Sequence, residues 1–466
     1  MKKISLLVLA LTTSLSIYAQ DISGSWYGTL KVQGTQLRVV FNLTQKDTVY
    51  SATMDSPDQG AFGIPMTSAT FEDNLLKLEI PSATIQYKGT LGENQTIVGI
   101  FKQGGLEIPL DLSREEIQKE EVKRPQEPIE PYPYYSEEVV FRNTKANVSL
   151  AGTLTLPSKE GVYPVVILIT GSGPQNRNEE VFGHKPFLVI SDYLTRKGIG
   201  VLRYDDRGVG ESTGDFVKAT SADFATDVES AIAYLKTREE VDKTKIGLIG
   251  HSEGGLIGPM VANRSSDVAF IVLLAGPGVP GDQVLLSQQR LIGNSMGISE
   301  EKLLEAHNTN REIFELVKQS KNLEQLKADL TSFIKDQLDK TPSEEIPDGM
   351  NTEQYIALQV DQFATPWMRY FIMYDPAREL EKVKCPVLAL NGEKDLQVAA
   401  KENLEGIKNA LEKSGNKNVS IKELASLNHL FQESETGLPS EYGAIEETFS
   451  LVALKEISNW ILEQLK

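Results

Sequence analysis

The chain has 466 residues, 40% hydrophobic and 24% charged, an ordinary globular composition with material for more than one core. A formal net charge of −18, with no cluster of four or more Lys or Arg, argues against nucleic-acid or anionic-membrane partners and makes polyanions poor substrates. Cys385 is the only cysteine, so no intrachain disulfide can form; within the apolar run KCPVLAL it reads as a small buried hydrophobe.

The first residues, MKKISLLVLALTTSLSIYAQ, have the layout of a secretory signal peptide: Lys2 and Lys3, an apolar run from Ile4 to Leu11, and Ile17-Tyr18-Ala19 before the expected cut after Ala19. The run is too short and wrongly flanked to span a membrane, and no later one is long enough. With no cysteine nearby to take a lipid, residues 1–19 are expected to be removed, leaving a soluble exported protein, most simply periplasmic.

Residues 20–113 read as a small antiparallel β domain. Trp26–Val32 and Leu37–Leu43 alternate with period two, and further short runs follow near 49–54, 75–80, 84–87, 97–101 and 106–112. Gly24-Ser25-Trp26 resembles the lipocalin G-x-W signature and points to an up-and-down barrel; a sandwich is the alternative. REEIQKEEVKRPQEPIEPYPYY, residues 114–135, is charged and then proline-rich, the composition of a semi-rigid linker.

From residue 136 to 466 apolar runs alternate with helical segments. Near-continuous runs at 165–170, 200–204, 246–249, 270–275 and 386–390 suit strands covered on both faces. Helical periodicity falls at 187–197, 224–236, 404–411 and 445–465. This alternation predicts an α/β domain with a mainly parallel sheet. About a hundred residues separate the strands near 275 and 386, far beyond a simple crossover. Leu323, Leu326, Leu330, Phe333, Ile334 and Leu338 share one helical face there, so a folded helical cap is expected over about 281–375.

Gly250-His251-Ser252-Glu253-Gly254 lies where the strand-like run KIGLI becomes helix-like. In a G-x-S-x-G turn the serine projects from a sharp strand-to-helix bend that a Cβ at either glycine would obstruct. Glu253, in the first helical turn, suits the helix dipole. A serine hydroxyl needs a base, and the chain has four histidines. His184 precedes the serine, His251 adjoins it and is expected to point away, and His307 falls in the cap. That leaves His429, in LASLNHLF, after the serine as the motif's chain order requires. The acid should end the preceding strand, where NGEKD offers Asp395, with Glu393 in reserve. Oxyanion donors are expected from the backbone N–H groups of Glu253 and of Ser172 in ITGSGP, with Gly173 as the alternative to Ser172. Glu179 and Glu180 are placed at the pocket mouth, where adjacent carboxylates could take a substrate ammonium or remain solvated. Trp367, Arg369, Tyr370, Phe371 and Tyr374 form an aromatic cluster suited to wall an acyl or leaving-group pocket, or to make a local core. Asp205, Asp206, Arg207 and Gly210 read as a structural loop.

Residues 136–466 resemble the α/β-hydrolase superfamily, near its serine aminopeptidase-like and acyl-ester hydrolase branches. The matching stretches are Gly250–Gly254, LRYDDRGVGES from Leu202, PVLALNGEKDLQV from Pro386, and the LNH ending at His429. The resemblance implies a Ser252–His429–Asp395 triad, acyl transfer through an acyl-enzyme, and no cofactor or metal. Thr170 departs from the pattern, standing where many members carry histidine. The reading is an exported serine hydrolase acting on small-molecule or glycan-linked carboxylic esters. The rivals are a peptidase of aminopeptidase or dipeptidyl type acting on short peptides, and a non-catalytic binding protein on a hydrolase scaffold.

Overall fold

The computed structural model describes residues 21–32, 35–47, 49–57, 61–81, 84–92, 94–103, 106–118, 123–340, 346 and 351–466; the expected signal peptide lies outside them. The chain divides near residue 120 into two compact units.

The N-terminal unit holds β1 (Gly24–Val32), β2 (Thr35–Lys46), β3 (Val49–Ser56) and β4 (Ala61–Pro65) in one sheet. A second sheet contains β5 (Ser68–Glu72), β6 (Leu75–Ile80), β7 (Ile85–Leu91), β8 (Ile97–Gln103) and β9 (Leu106–Pro109). Strict alternation in β7, buried at every second residue, sends Tyr87 inward while Gln86 and Lys88 face water. Both sheets contribute to one core around Trp26, Phe41, Leu76, Tyr87 and Phe101. The Trp26 indole N–H donates to the Ile22 carbonyl at 2.8 Å, and the Arg114 guanidinium lies 3.8 Å from the ring centre. Backbone hydrogen bonds also join the two sheets: Tyr27 of β1 exchanges a pair with Ser113 at 2.8 and 2.9 Å, and Leu112 exchanges a pair with Ile97 of β8.

The second unit is built on β10 (Tyr135–Asn143), β11 (Val148–Leu156), β12 (Tyr163–Ile169), β13 (Gly200–Tyr204), β14 (Val241–His251), β15 (Val268–Leu274), β16 (Val387–Gly392) and β17 (Val419–Leu424). Their order across the sheet is β10-β11-β13-β12-β14-β15-β16-β17. Only β10 and β11 run antiparallel to their neighbours; the remaining pairs are parallel. Alternation in β12 explains why its run is apolar throughout. Val165, Ile167 and Ile169 enter a core with helices α2 (Ser221–Leu235), α3 (Glu253–Arg264) and α10 (Ala400–Lys413), whereas Val166 and Leu168 enter another with α1 (Pro186–Arg196) and α12 (Leu451–Gln464).

Between β15 and β16 stand α4 (Gly281–Ser295), α5 (Glu300–Gln319), α6 (Leu323–Leu338), α7 (Thr352–Phe363), α8 (Pro366–Met373) and the short α9 (Ala377–Leu380). The apolar face of α6 buries Leu326, Leu330 and Ile334 against Phe314 and Val317 of α5 and Val360 of α7, a core of the cap's own. Asn322 and Asn351 accept backbone N–H groups at the starts of α6 and α7. The short α11 (Pro439–Tyr442) lies between β17 and α12.

Two sequence expectations change. Helix α12 begins at Leu451 rather than near 445, because the Ser450 hydroxyl accepts from the Val452 N–H and closes its N-terminus. Of the expected linker, Arg114 is held in the N-terminal unit, and residues 123–135 belong to the second unit, to which Arg124 and Gln126 fasten them. Arg124 donates to the carbonyls of Gly183, Gly443 and Ile445, and the Gln126 amide pairs with the backbone of Thr448 and Phe449. Composition suggested a spacer because few of these residues are apolar. Their anchoring is polar, from side chain to backbone.

Candidate active site

Ser252 follows β14 directly and opens α3, with φ 52° and ψ −116°. This left-handed φ is unfavourable for a residue with a side chain and persists only where surroundings enforce it. The flanking glycines are part of that enforcement. A Cβ on Gly250 would lie 2.0 Å from the Gly254 carbonyl oxygen, and one on Gly254 would lie 2.1 Å from that of Ile169. The strand and helix therefore approach more closely than any other residue pair would allow. Ser252 is partly exposed between two buried neighbours, and its N–H donates to the Leu274 carbonyl at 2.8 Å.

Asp395 follows β16 and His429 follows β17. His429 donates from Nδ1 to Asp395 Oδ2 at 2.8 Å, and both side chains are buried. The other carboxylate oxygen accepts the backbone N–H groups of Gln397 and Val398 at 2.8 and 2.9 Å. Three donors thus fix the Asp395 carboxylate, and the Nδ1 proton leaves Nε2 as the basic nitrogen of a neutral ring. Glu393, the reserve acid, accepts the Ser426 N–H instead.

The loop after β12 passes over the serine: a Cβ on Gly171 would lie 3.2 Å from Ser252 Cβ. The Gly171 N–H donates to Glu179 Oε1 at 2.6 Å, while Ser172 next along is exposed and Gly173 adopts φ 96°. Thr170 donates to Asp206 Oδ1 at 2.8 Å, and the Gln175 N–H donates to the other oxygen at 3.1 Å. Burial pushes the Asp206 carboxyl well above the usual carboxylate range. Asp206 thus clamps both ends of the loop segment carrying Ser172. Asp205 receives the backbone and side chain of Arg177, and Arg207 pairs with buried Asp227 at 2.7 Å. The Asp-Asp-Arg cluster is structural scaffolding for the loop.

The structure moves several residues from their expected places. Glu179 does not line a pocket mouth. It is 3% exposed, and its Oε1 accepts from both Gly171 and the Nδ1 of His251, the latter at 2.9 Å. Glu180 is exposed and accepts weakly from Asn176. His251 does not point away: its Nε2 donates to the His429 carbonyl at 2.9 Å, and the two rings lie 4.8 Å apart. Because both partners of His251 are acceptors, the imidazolium form satisfies both at once. Burial disfavours that charge, but the Glu179 carboxylate, the His429 carbonyl and the Asp395 charge together leave His251 above its ordinary pKa. Glu179 and His251 thus link the loop after β12, the serine turn and the backbone of His429, a connection spanning residues too distant in sequence for any local motif to reveal.

The Glu253 side chain is buried rather than solvated at a helix end. Its Oε1 accepts from Ser221 Oγ at 2.5 Å and from the Trp367 indole N–H at 2.8 Å, and burial raises its pKa. Its backbone N–H is the first of α3 and lacks an intrahelical acceptor. Trp367, stacked on Phe371, therefore ties the cap to the residue after the serine. Tyr374 stacks on Tyr370, and both line a cavity of about 530 Å³ walled by α8 and Thr220. The remaining two histidines lie elsewhere. His184 is buried against Thr448, Tyr442 and Gln432, its pKa lowered by burial to about 4, and His307 is on α5. Among the described residues, no group of three or more His, Cys, Asp or Glu is placed to hold a metal ion.

Residues 187–342 match the family described as serine aminopeptidase, S33. A Thermotoga maritima protein named esterase EstD is 27% identical over 320 residues, which are 67% of this chain and 66% of the esterase. The chain thus spans just under two thirds of that relative's length. A putative carboxymethylenebutenolidase of Synechocystis is 26% identical over 149 residues, 29% of this chain and 56% of the relative. Among solved structures, a Pyrococcus furiosus esterase is 16% identical with a TM-score of 0.43, covering 74% of this chain and 97% of its own. Sheet order, a strained serine turn after the fifth strand of the second unit and the match over residues 187–342 agree: the second unit has the α/β-hydrolase fold and is similar to the serine aminopeptidase, S33 family.

Proposed function

We propose that the protein is an exported serine hydrolase that cleaves carboxylic esters. The observation that carries this reading is the His429–Asp395 hydrogen bond at 2.8 Å, beyond the C-terminal ends of parallel strands β16 and β17, as the strained turn presenting Ser252 lies beyond that of β14. Ser252 Oγ attacks the ester carbonyl and passes its proton to His429 Nε2, forming a tetrahedral oxyanion. The N–H groups of Glu253 and Ser172 donate to that oxyanion. His429 then protonates the departing alcohol, leaving Ser252 acylated. Water, deprotonated by His429, releases the acid and restores the serine. Asp395 holds the Nδ1–H tautomer and stabilises the imidazolium without taking its proton, as in triads on unrelated folds.

Esters are favoured over peptides on two grounds. A relative aligned over 320 residues carries the name esterase, and Glu179, one of the two carboxylates expected to take a substrate ammonium, is buried in a pair with His251. The serine aminopeptidase match supports a second reading, a peptidase acting near a free N-terminus, with Glu180 as its remaining exposed carboxylate. Export rests on the leader-like residues 1–19, and cell fractionation with N-terminal sequencing tests it. The enzymatic test is a matched panel of p-nitrophenyl esters of increasing acyl length beside aminoacyl and dipeptidyl p-nitroanilides, with Ser252→Ala as control. Ester turnover abolished in the variant is expected. Turnover of anilides alone would replace this reading with the peptidase.

A further inference from the structure

A second cavity, of about 340 Å³, opens on the outer side of residues 176–178 and is lined by Tyr132, Thr153, Arg177, Lys185 and Arg203, with Glu138 and Asp205 among its acidic walls. Its cations are unequally answered. Arg177 pairs with Asp205, Glu138 and Glu211, and Lys185 lies 3.5 Å from Glu127. Arg203 is different. It is 5% exposed, and among the described residues no carboxylate lies within 4.0 Å of it. One terminal nitrogen donates to Asn178 Oδ1, and the buried Nε has no partner. Burial and the neighbouring Arg177 charge pull its pKa down to about 10.

A buried cation with no carboxylate in ion-pair contact is expensive, and Glu138, which also lines the cavity, is engaged by Arg177. A guanidinium presents a planar fork of donors matched to carboxylate or phosphate oxygens. We propose that this cavity is a binding site for a small oxyanion, a carboxylate or phosphate group, whose charge Arg203 answers while Lys185 and Arg177 flank it. The volume admits a small molecule bearing the group, and the net charge of −18 disfavours a polyanion. The site is distinct from the serine turn but adjoins its support: Asn178, the Arg203 partner, directly precedes Glu179.

The test is calorimetric titration of the full chain with inorganic phosphate, acetate and glucuronate, ionic strength being held constant with sodium chloride. Saturable binding is expected from phosphate, from the carboxylates or from both, and the arms identify the group. Arg203→Met should weaken that binding by roughly tenfold or more, the cost of losing charge-assisted hydrogen bonds. If Arg203→Met does not fold, Lys185→Gln takes its place, with a smaller weakening expected. No saturable heat from any arm, or an affinity unaltered in the variant that folds, would overturn the proposal.

Discussion

Replacing Glu179 with alanine removes an oxygen that accepts from both the Gly171 N–H at 2.6 Å and His251 Nδ1 at 2.9 Å. Glu179 and His251 are 3% and 6% exposed, so little solvent screens the pair or rescues the survivor. Breaking a buried pair from one side costs about 3–5 kcal/mol. The loss has a pH signature. The folded pKa of His251 is raised above its ordinary 6.5, so the stability it contributes is fully present below that value and fades as pH rises through the folded pKa. Denaturant unfolding of wild type and Glu179→Ala should therefore differ most below the ordinary histidine pKa and differ less as pH rises through the raised pKa of His251, the loss of the Gly171 hydrogen bond remaining at every pH. Because Glu179 supports the loop after β12 and the His429 backbone, turnover of esters and aminoacyl anilides should fall together. A variant within about 0.5 kcal/mol of wild type, with a raised KM confined to aminoacyl substrates, would refute this and return Glu179 to the substrate.

Gly254→Ala places a Cβ 2.1 Å from a backbone carbonyl oxygen, so the serine turn must shift; ester turnover should fall by about 100-fold or more, and near-normal kcat would count against the elbow geometry. Asp395→Asn keeps the shape but disturbs the His429 tautomer, and ester kcat should drop by roughly 10³–10⁴-fold with KM little changed; a loss under tenfold would remove Asp395 from the triad. The Cys385 thiol is only partly buried rather than interior as its apolar run suggested, and that burial pushes it up to about 11, so it should react slowly with an aromatic disulfide at neutral pH until the protein is unfolded. Rapid stoichiometric reaction of the native protein would contradict that burial.

Much of the fold could be read from the chain because its strands carry unambiguous patterns. β12, β13 and β16 are apolar at nearly every position since both faces are covered, and β7 alternates since one face meets water. β10 and β11 escaped notice: Ser136-Glu137-Glu138 and Arg142 make β10 look solvated, and it lies at the sheet edge. The glycines around Ser252 and the positions of Asp395 and His429 after their strands were equally legible, because turn geometry and chain order constrain them locally. The supporting pair was not. Glu179 and His251 meet across 72 residues, and the adjacent Glu-Glu suggested surface charge when one of the two is interior. Arg124 and Gln126 misled for a related reason, since a polar segment can be fastened through backbone carbonyls that composition does not record.

The central claim is that His429, held by Asp395, activates Ser252. The most direct measurement is the rate of labelling by a fluorophosphonate probe, with the modified peptide identified by mass spectrometry, in wild type, Ser252→Ala and His429→Ala. The account expects one label per chain, on Ser252, abolished in the first variant and slowed by roughly a thousandfold or more in the second. Labelling at another residue, or an unchanged rate without His429, would contradict it.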